Sequence, residues 1–333
     1  DKSTSDLLSD LSYELIKELL KSNFLWEQKQ ATMFRGLGLF LNCLKSFNRK
    51  TKDLKRTCGI LDLYFLDESY DLAQQYNDLV CKDGTSMHMY DVVSGISGRL
   101  NYLINVFYNE EDENILLNNQ SKIQSQLEFL ITLTKNLDNV KENKLSKFLI
   151  SGIGLIGERE LPNGYFNFGL AHGIIGPLIV LSEAFSKKVS IANLDYSINI
   201  LKSFYKKYER NNNGILYWPT KLSKENFLNN NCNNTEFEYN LSSWCYGNLG
   251  IIGGLLRTNI ILNNDYDYFY YKKALYSVFT QDINKHNLYQ IILCHGYLGI
   301  LTYLLYYMYS GTYIMDELLI DRLNQFILKI ISD

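Results

Sequence analysis

Apolar residues recur at three- and four-residue spacing along much of the chain, as at Leu100, Leu103, Ile104 and Phe107. That is the period of a helix with one buried face. Five such patterns open on a glycine-marked turn. They are RGLGLFLNCLKSF from Arg35, SGISGRLNYLINVF from Ser94, HGIIGPLIVLSEAF from His172, YGNLGIIGGLLRTNIIL from Tyr246 and HGYLGILTYLLYYMY from His295. The last four share a strict G-x-x-G, at Gly95/Gly98, Gly173/Gly176, Gly247/Gly250 and Gly296/Gly299. In the first the glycines stand at 36 and 38, a degenerate copy. Each interval between turns holds one further helix, as in IQSQLEFLITLTKNL and IANLDYSINILKSFYKKY.

Helix–loop–helix units that cannot bury their faces alone stack on one another. The helices after the glycines are nearly apolar all round, so they should be covered on both sides, with amphipathic partners outside. The pattern predicts an all-α chain, residues 1–333 forming a single domain with two concentric helical layers closed into an α/α toroid. An open solenoid would need polar caps at its ends. Where inner helices meet closely, turn residues without a Cβ are expected. Three prolines in 333 residues fit this reading, since few helix breaks are imposed.

The repeat also aligns candidate chemistry. Side chains just before each G-x-x-G should gather at one mouth of the ring: Ser94 (with Asp91 three earlier), His172, Tyr246 with Cys245, and His295 with Cys294. Cys245, Cys294 and His295 offer two thiols and an imidazole, a donor set suited to zinc with the fourth position open. His88, His286 and the cysteines at 43, 58, 81 and 232 have no partner in register and are assigned to structure or surface. NNNCNNTEFEYN (229–240) reads as a polar loop. SGIGLIG, with Gly152, Gly154 and Gly157, matches a dinucleotide fingerprint. Pro162 and Asn163-Gly164 leave no room for the helix that fingerprint needs, and no acid lies between Glu160 and Glu183.

Composition narrows the class. A chain with 46% hydrophobic and 21% charged residues can bury a large core, and its formal charge of -3 argues against nucleic-acid partners. The basic run 45–55 is expected to be a solvated face. No stretch of 18 apolar residues occurs, so no membrane span is expected. The acidic, amphipathic start is unlike a secretory signal. Six cysteines in a chain this long make no disulfide scaffold. A reducing, cytoplasmic location is expected, with the inner face of the membrane reached only through partners.

GLAHGIIGP (169–177), WCYGNLG (244–250) and CHGYLG (294–299) resemble the signatures of the LanC-type lanthionine cyclases. YDVVSGISG (90–98), NGYFNFGLAHG (163–173) and NGILYWP (213–219) support the likeness in the same order, from about residue 35 to the C-terminus. The resemblance implies an α/α toroid with one Zn2+ per chain on Cys245, Cys294 and His295, the fourth ligand being water or a substrate thiol. It places His172, Asp91 and Tyr246 around the metal. An arginine expected four residues before Cys245 falls here on Leu241.

The implied activity is closure of lanthionine and methyllanthionine rings. Cysteine thiolates would add to dehydroalanine or dehydrobutyrine in a ribosomally made lantibiotic precursor, leader plus core. A dehydratase and an export transporter are the implied partners. His172 is expected to move the proton, Tyr246 to hydrogen-bond an enolate oxygen, and Asp91 either to orient an imidazole or to cap the helix near Ser94. A relative that adds glutathione to dehydrated residues and a non-catalytic peptide-binding toroid are the alternatives. A toroid glycosidase would need paired carboxylates at the mouth, where only Asp91 stands.

Overall fold

A computed structural model describes residues 4–22, 32–51, 54–82, 85–109, 113–138, 145–150, 161, 163–230, 241–312 and 316–332. The fingerprint-like SGIGLIG stretch, residues 231–240 with Cys232, and the Cys81 side chain lie outside the described residues. After a helix α1 (Thr4–Lys21), five helical hairpins follow in order. The first pairs α2 (Leu37–Thr51) with α3 (Lys55–Lys82). A one-turn helix α4 (Met87–Tyr90) leads into the second, α5 (Ile96–Phe107) with α6 (Glu113–Thr134). The third is α7 (Ile175–Ser186) with α8 (Leu194–Tyr208). A five-residue α9 (Lys224–Leu228) precedes α10 (Asn248–Ile261) with α11 (Asp265–Thr280), and the last pair is α12 (Tyr297–Tyr309) with α13 (Glu317–Ser332).

The first member of each hairpin follows a glycine turn and lies inside; the second lies outside. Inner helices α5, α7 and α10 pack side by side, and outer helices α3, α6 and α8 form a second layer against them, continued by α11 and α13. Inner helices α2 and α12 both line a central cavity of about 1350 Å³. This is the α/α toroid that the sequence pattern predicts. Both-sided burial holds for α7 and α10, whose residues are mostly buried. It fails for α12, where Leu298, Leu305, Tyr306 and Tyr309 are exposed. The cause is in part the cavity itself, which Tyr303 and Tyr306 border.

The glycines answer to two kinds of crowding, one of them the close approach expected between inner helices. A Cβ on Gly98, Gly250 or Gly299 would lie 2.1, 2.0 or 2.3 Å from the carbonyl oxygen six residues back, that of Val92, Trp244 or Leu293. At these three the constraint lies within the turn itself. A Cβ on Gly176, by contrast, would meet Val92 Cγ1 of the neighbouring turn at 2.7 Å, and one on Gly254 would meet Ile175 Cγ1 of the neighbouring inner helix at 2.4 Å, as close packing of inner helices requires. Gly38 stands in the same relation to the Thr32 oxygen, at 2.4 Å. The degenerate first copy thus keeps the second glycine of the motif, with Arg35 in the slot of the first.

Two short antiparallel ribbons interrupt the all-α pattern. β1 (Tyr165–Asn167) pairs with β4 (Lys221–Ser223), and β2 (Arg210–Asn212) pairs with β3 (Ile215–Tyr217). The β2–β3 turn uses Asn213 and Gly214, both at positive φ, which is the signature of a tight hairpin. These ribbons brace the Gly169–Ile174 turn: Phe166 and Phe168 pack on Phe204 of α8, and the Phe168 N–H donates to the Thr220 carbonyl. Lys45 departs from the solvated face expected of its run. Its ammonium pairs at 2.5 Å with buried Asp62, which also accepts from the Tyr102 hydroxyl, tying α2, α3 and α5 together.

Candidate metal centre

The turns that precede the inner helices are joined to one another through the backbone. Val92 N–H donates to the carbonyl of Ala171, Ala171 N–H to that of Cys245, and Cys245 N–H to that of Cys294, each at 3.3 Å. This chain of bonds runs around one mouth of the toroid and sets the positions of the side chains on it. Within the Cys245 turn, Asn248 N–H closes back to the Leu241 carbonyl and Tyr246 N–H to the Ser243 hydroxyl. Ser242 N–H reaches the His286 carbonyl at 3.0 Å.

Cys245, Cys294 and His295 converge, their candidate donor atoms all lying within 4.8 Å of one another. Cys245 is buried, Cys294 half-buried and His295 exposed, so the cluster opens toward solvent on one side. Burial pushes the Cys245 thiol up to about 12, and the hydrogen bond and charge of Cys294 add to this; the Ser243 hydroxyl pulls the other way. Two close thiols cannot both ionise there without a compensating cation. A dication removes that penalty, and two sulfurs with one imidazole match the preferences of zinc. The donor set therefore fits Zn2+ and leaves one position for an outside ligand.

A second group stands beside it. Asp91 is fully buried and divides its two oxygens. Oδ1 accepts from the N–H groups of Ser94 and Gly95 at 2.6 and 2.7 Å, while Oδ2 lies 2.5 Å from Nδ1 of His172. The capping reading and the orienting reading of Asp91 thus describe one oxygen each. The Tyr246 ring lies 6.0 Å from the His172 ring, and its position next to Cys245 links the two groups. Burial raises the Tyr246 hydroxyl to about 12, so it is neutral and a donor at physiological pH.

Among the described residues, Cys43, Cys58 and His286 fall at the surface or in the core, while His88 does not. Cys58 is buried, Cys43 is exposed, and both are free thiols. His286 is fully buried against Phe326. Leu241 packs against the hydrophobic core and brings no charge to the mouth. His88 is the exception: its Nδ1 lies 3.7 Å from Asp91 Oδ2 and its ring 5.7 Å from that of His172. Its signal was local, an imidazole one helical turn ahead of an acid, and a search by repeat register passes over it. Neither the Cys245–Cys294–His295 cluster nor Asp91, His172, His88 or Tyr246 lines the central cavity, whereas the neighbouring Trp244 and Val92 do.

The fold and the paired groups define an α/α toroid with a thiol–imidazole centre at one mouth. The chain belongs to the family described as lanthionine synthetase C-like protein, whose model matches residues 3–333. It is 29% identical over 279 residues to nisin biosynthesis protein NisC of Lactococcus lactis subsp. lactis. That match takes in 80% of this chain but only 59% of the length of that relative. The solved structure of a nisin cyclase superimposes with a TM-score of 0.78 at 21% identity, covering 100% of this chain and 78% of that one. Among the described residues no helix is long and apolar enough to cross a membrane.

Proposed function

We propose that the chain is a zinc-dependent lanthionine cyclase acting on a dehydrated ribosomal peptide, with a dehydratase and an export transporter as its partners in the cell. The observation that carries this reading is the adjacency of two clusters: Cys245, Cys294 and His295 within 4.8 Å of one another, and an Asp91–His172 pair reached through Tyr246. Cys245, Cys294 and His295 would hold one Zn2+, which when bound supplies the charge that keeps an entering cysteine thiol as thiolate near neutral pH. Two anionic sulfurs in the set, in place of histidines, keep that thiolate electron-rich, which suits alkylation better than hydrolysis.

The remaining steps belong to the chain's own residues. The substrate S–H bond breaks, a sulfur–carbon bond forms at the β-carbon of the dehydro residue, and its C=C π bond becomes an enolate. Tyr246, held neutral, donates to the enolate oxygen. Asp91 Oδ2 accepts the Nδ1 proton of His172, which stabilises the imidazolium and leaves Nε2–H free to deliver a proton to the α-carbon. One proton leaves sulfur and one arrives at carbon, so the product is an isomer of the substrate. The free thiols of Cys43 and Cys58, among the described residues, accord with a reducing, cytoplasmic setting.

The direct test is incubation with a dehydrated, cysteine-containing precursor. Free thiol should disappear at constant peptide mass, stop on chelation and resume with zinc. Unchanged thiol consumption by zinc-stripped protein would count against the mechanism.

A further inference from the structure

Asp91 Oδ2 is shared by two imidazoles, and the chemistry above uses only one. His172 Nδ1 is 2.5 Å from it and His88 Nδ1 is 3.7 Å from it. The two rings meet edge to face at 78°, with candidate nitrogens within 4.8 Å, a gap that one water molecule spans. Among the described residues no lysine or arginine pairs with Asp91. Side-chain exposure rises along the series, from 0% at Asp91 through 21% at His172 to 44% at His88. Of the three, His88 is thus the one most open to solvent, with Asp91 buried and His172 half-buried.

A metal ion on the same three residues would also use two imidazoles and a carboxylate. Ligand atoms bound to one ion at about 2.1 Å stand roughly 3 Å or more apart. His172 Nδ1 and Asp91 Oδ2, at 2.5 Å, are closer than that and make a direct hydrogen bond to each other. The other titratable groups around the pair are Tyr246 beyond His172 and Tyr76 and Tyr90 near Asp91. All three hydroxyls are raised by burial and stay neutral.

We propose that His88 is the solvent-side member of a His88–Asp91–His172 relay, a positioning residue through which the proton of His172 exchanges with bulk water. In a catalytic cycle the thiol proton is lost to solvent as sulfur enters, and His172 gives one to carbon and is refilled by way of His88. The sum is zero. For its effect on turnover this rests on the cyclase reading; for proton exchange it does not.

The experiment uses zinc-loaded full chain. The downfield N–H proton of the His172–Asp91 hydrogen bond, assigned by its absence in His172→Gln, is followed by proton NMR for exchange with water. In His88→Ala and His88→Gln the exchange should slow by about tenfold, a fraction of what a proton-transfer group is worth. Free imidazole should restore it in His88→Ala and leave wild type unchanged. On dehydrated peptide, kcat should fall by about tenfold with KM unchanged and the same imidazole rescue. Unaltered exchange in both variants overturns the relay, as does a second equivalent of zinc that His88→Ala removes. Slowed exchange in a chain that cyclises nothing would uphold the relay and sink the cyclase reading.

Discussion

The backbone N–H of Cys245 donates to the carbonyl of Cys294, 3.3 Å away. The two candidate sulfur ligands are thus brought together by main-chain bonding, with Ala171 and Val92 continuing the chain of bonds toward the Asp91 turn. A centre organised this way does not need the Cys245, Cys294 and His295 side chains to place the loops that carry them. That separation is what makes the ligand assignment testable.

Cys245→Ala should therefore lose zinc without losing the fold. We expect about one zinc per chain in wild type, almost none in the variant, and little change in helical circular dichroism. The same holds for Cys294→Ala. Elemental analysis beside thermal unfolding checks it, and a variant that keeps full zinc would remove Cys245 from the ligand set.

Asp91→Asn separates the two uses of that carboxylate. The amide oxygen can still accept from Ser94 and Gly95, but the amide NH2 then faces Nδ1 of His172. Donor would meet donor, so the ring must take the other tautomer. Turnover should fall roughly 10²–10⁴-fold while zinc content and melting temperature stay near wild type. Asp91→Ala should also lower stability, because the buried N–H of Gly95 loses its acceptor, at about 1–3 kcal/mol. Equal turnover of wild type and Asp91→Asn would end the orienting role.

The candidate cluster was legible in the sequence because Cys245, Cys294 and His295 occupy two adjacent slots of a repeat whose marker, G-x-x-G, is local. Asp91, His172 and Tyr246 were found the same way. What escaped depends on geometry that no spacing encodes. The bonds from Val92 to Ala171 to Cys245 to Cys294 join main-chain atoms of any residue type. Strands of three residues are too short to display alternation, so only Asn213-Gly214 could have announced the β2–β3 ribbon. Lys45 looks like part of a basic run until α3 presents Asp62 to it.

Glycine substitutions should divide sharply by position. A Cβ on Gly247 would fall 1.8 Å from the Leu241 oxygen and 2.4 Å from the Ser243 nitrogen, both backbone atoms of the ligand loop. Gly247→Ala should cost several kcal/mol, about 3, and reduce zinc occupancy with it. Gly59 is an exposed position within α3 where a Cβ meets nothing within 4 Å. Gly59→Ala should raise stability by about 0.5–1 kcal/mol through helix propensity and lost unfolded-state entropy. Denaturant unfolding measures both, and a neutral Gly247→Ala would show that the loop relaxes.

Acid should weaken the fold through His286, which lies behind the ligand loop. Burial, and then the charge of Arg322, lower this imidazole to about 4 from its ordinary 6.5, with Asp282 opposing. Its Nδ1 pairs with the Gln281 amide, which also donates to Ser242, and the Ser242 N–H donates to the His286 carbonyl. Protonation would set a second N–H against that amide. Between pH 6.5 and 4 the unfolded chain binds the proton and the folded chain does not, so stability rises with pH across this window. The full contribution is present above pH 6.5 and is lost as pH falls toward 4, amounting to roughly 3 kcal/mol at most. Carboxylates titrate nearby, so the readout is the difference between wild type and His286→Gln in unfolding free energy at several pH values. The wild-type curve should be steeper from pH 6.5 to 4 and parallel above it. Parallel curves throughout would mean that His286 takes up its proton as readily in the folded chain as in the unfolded one.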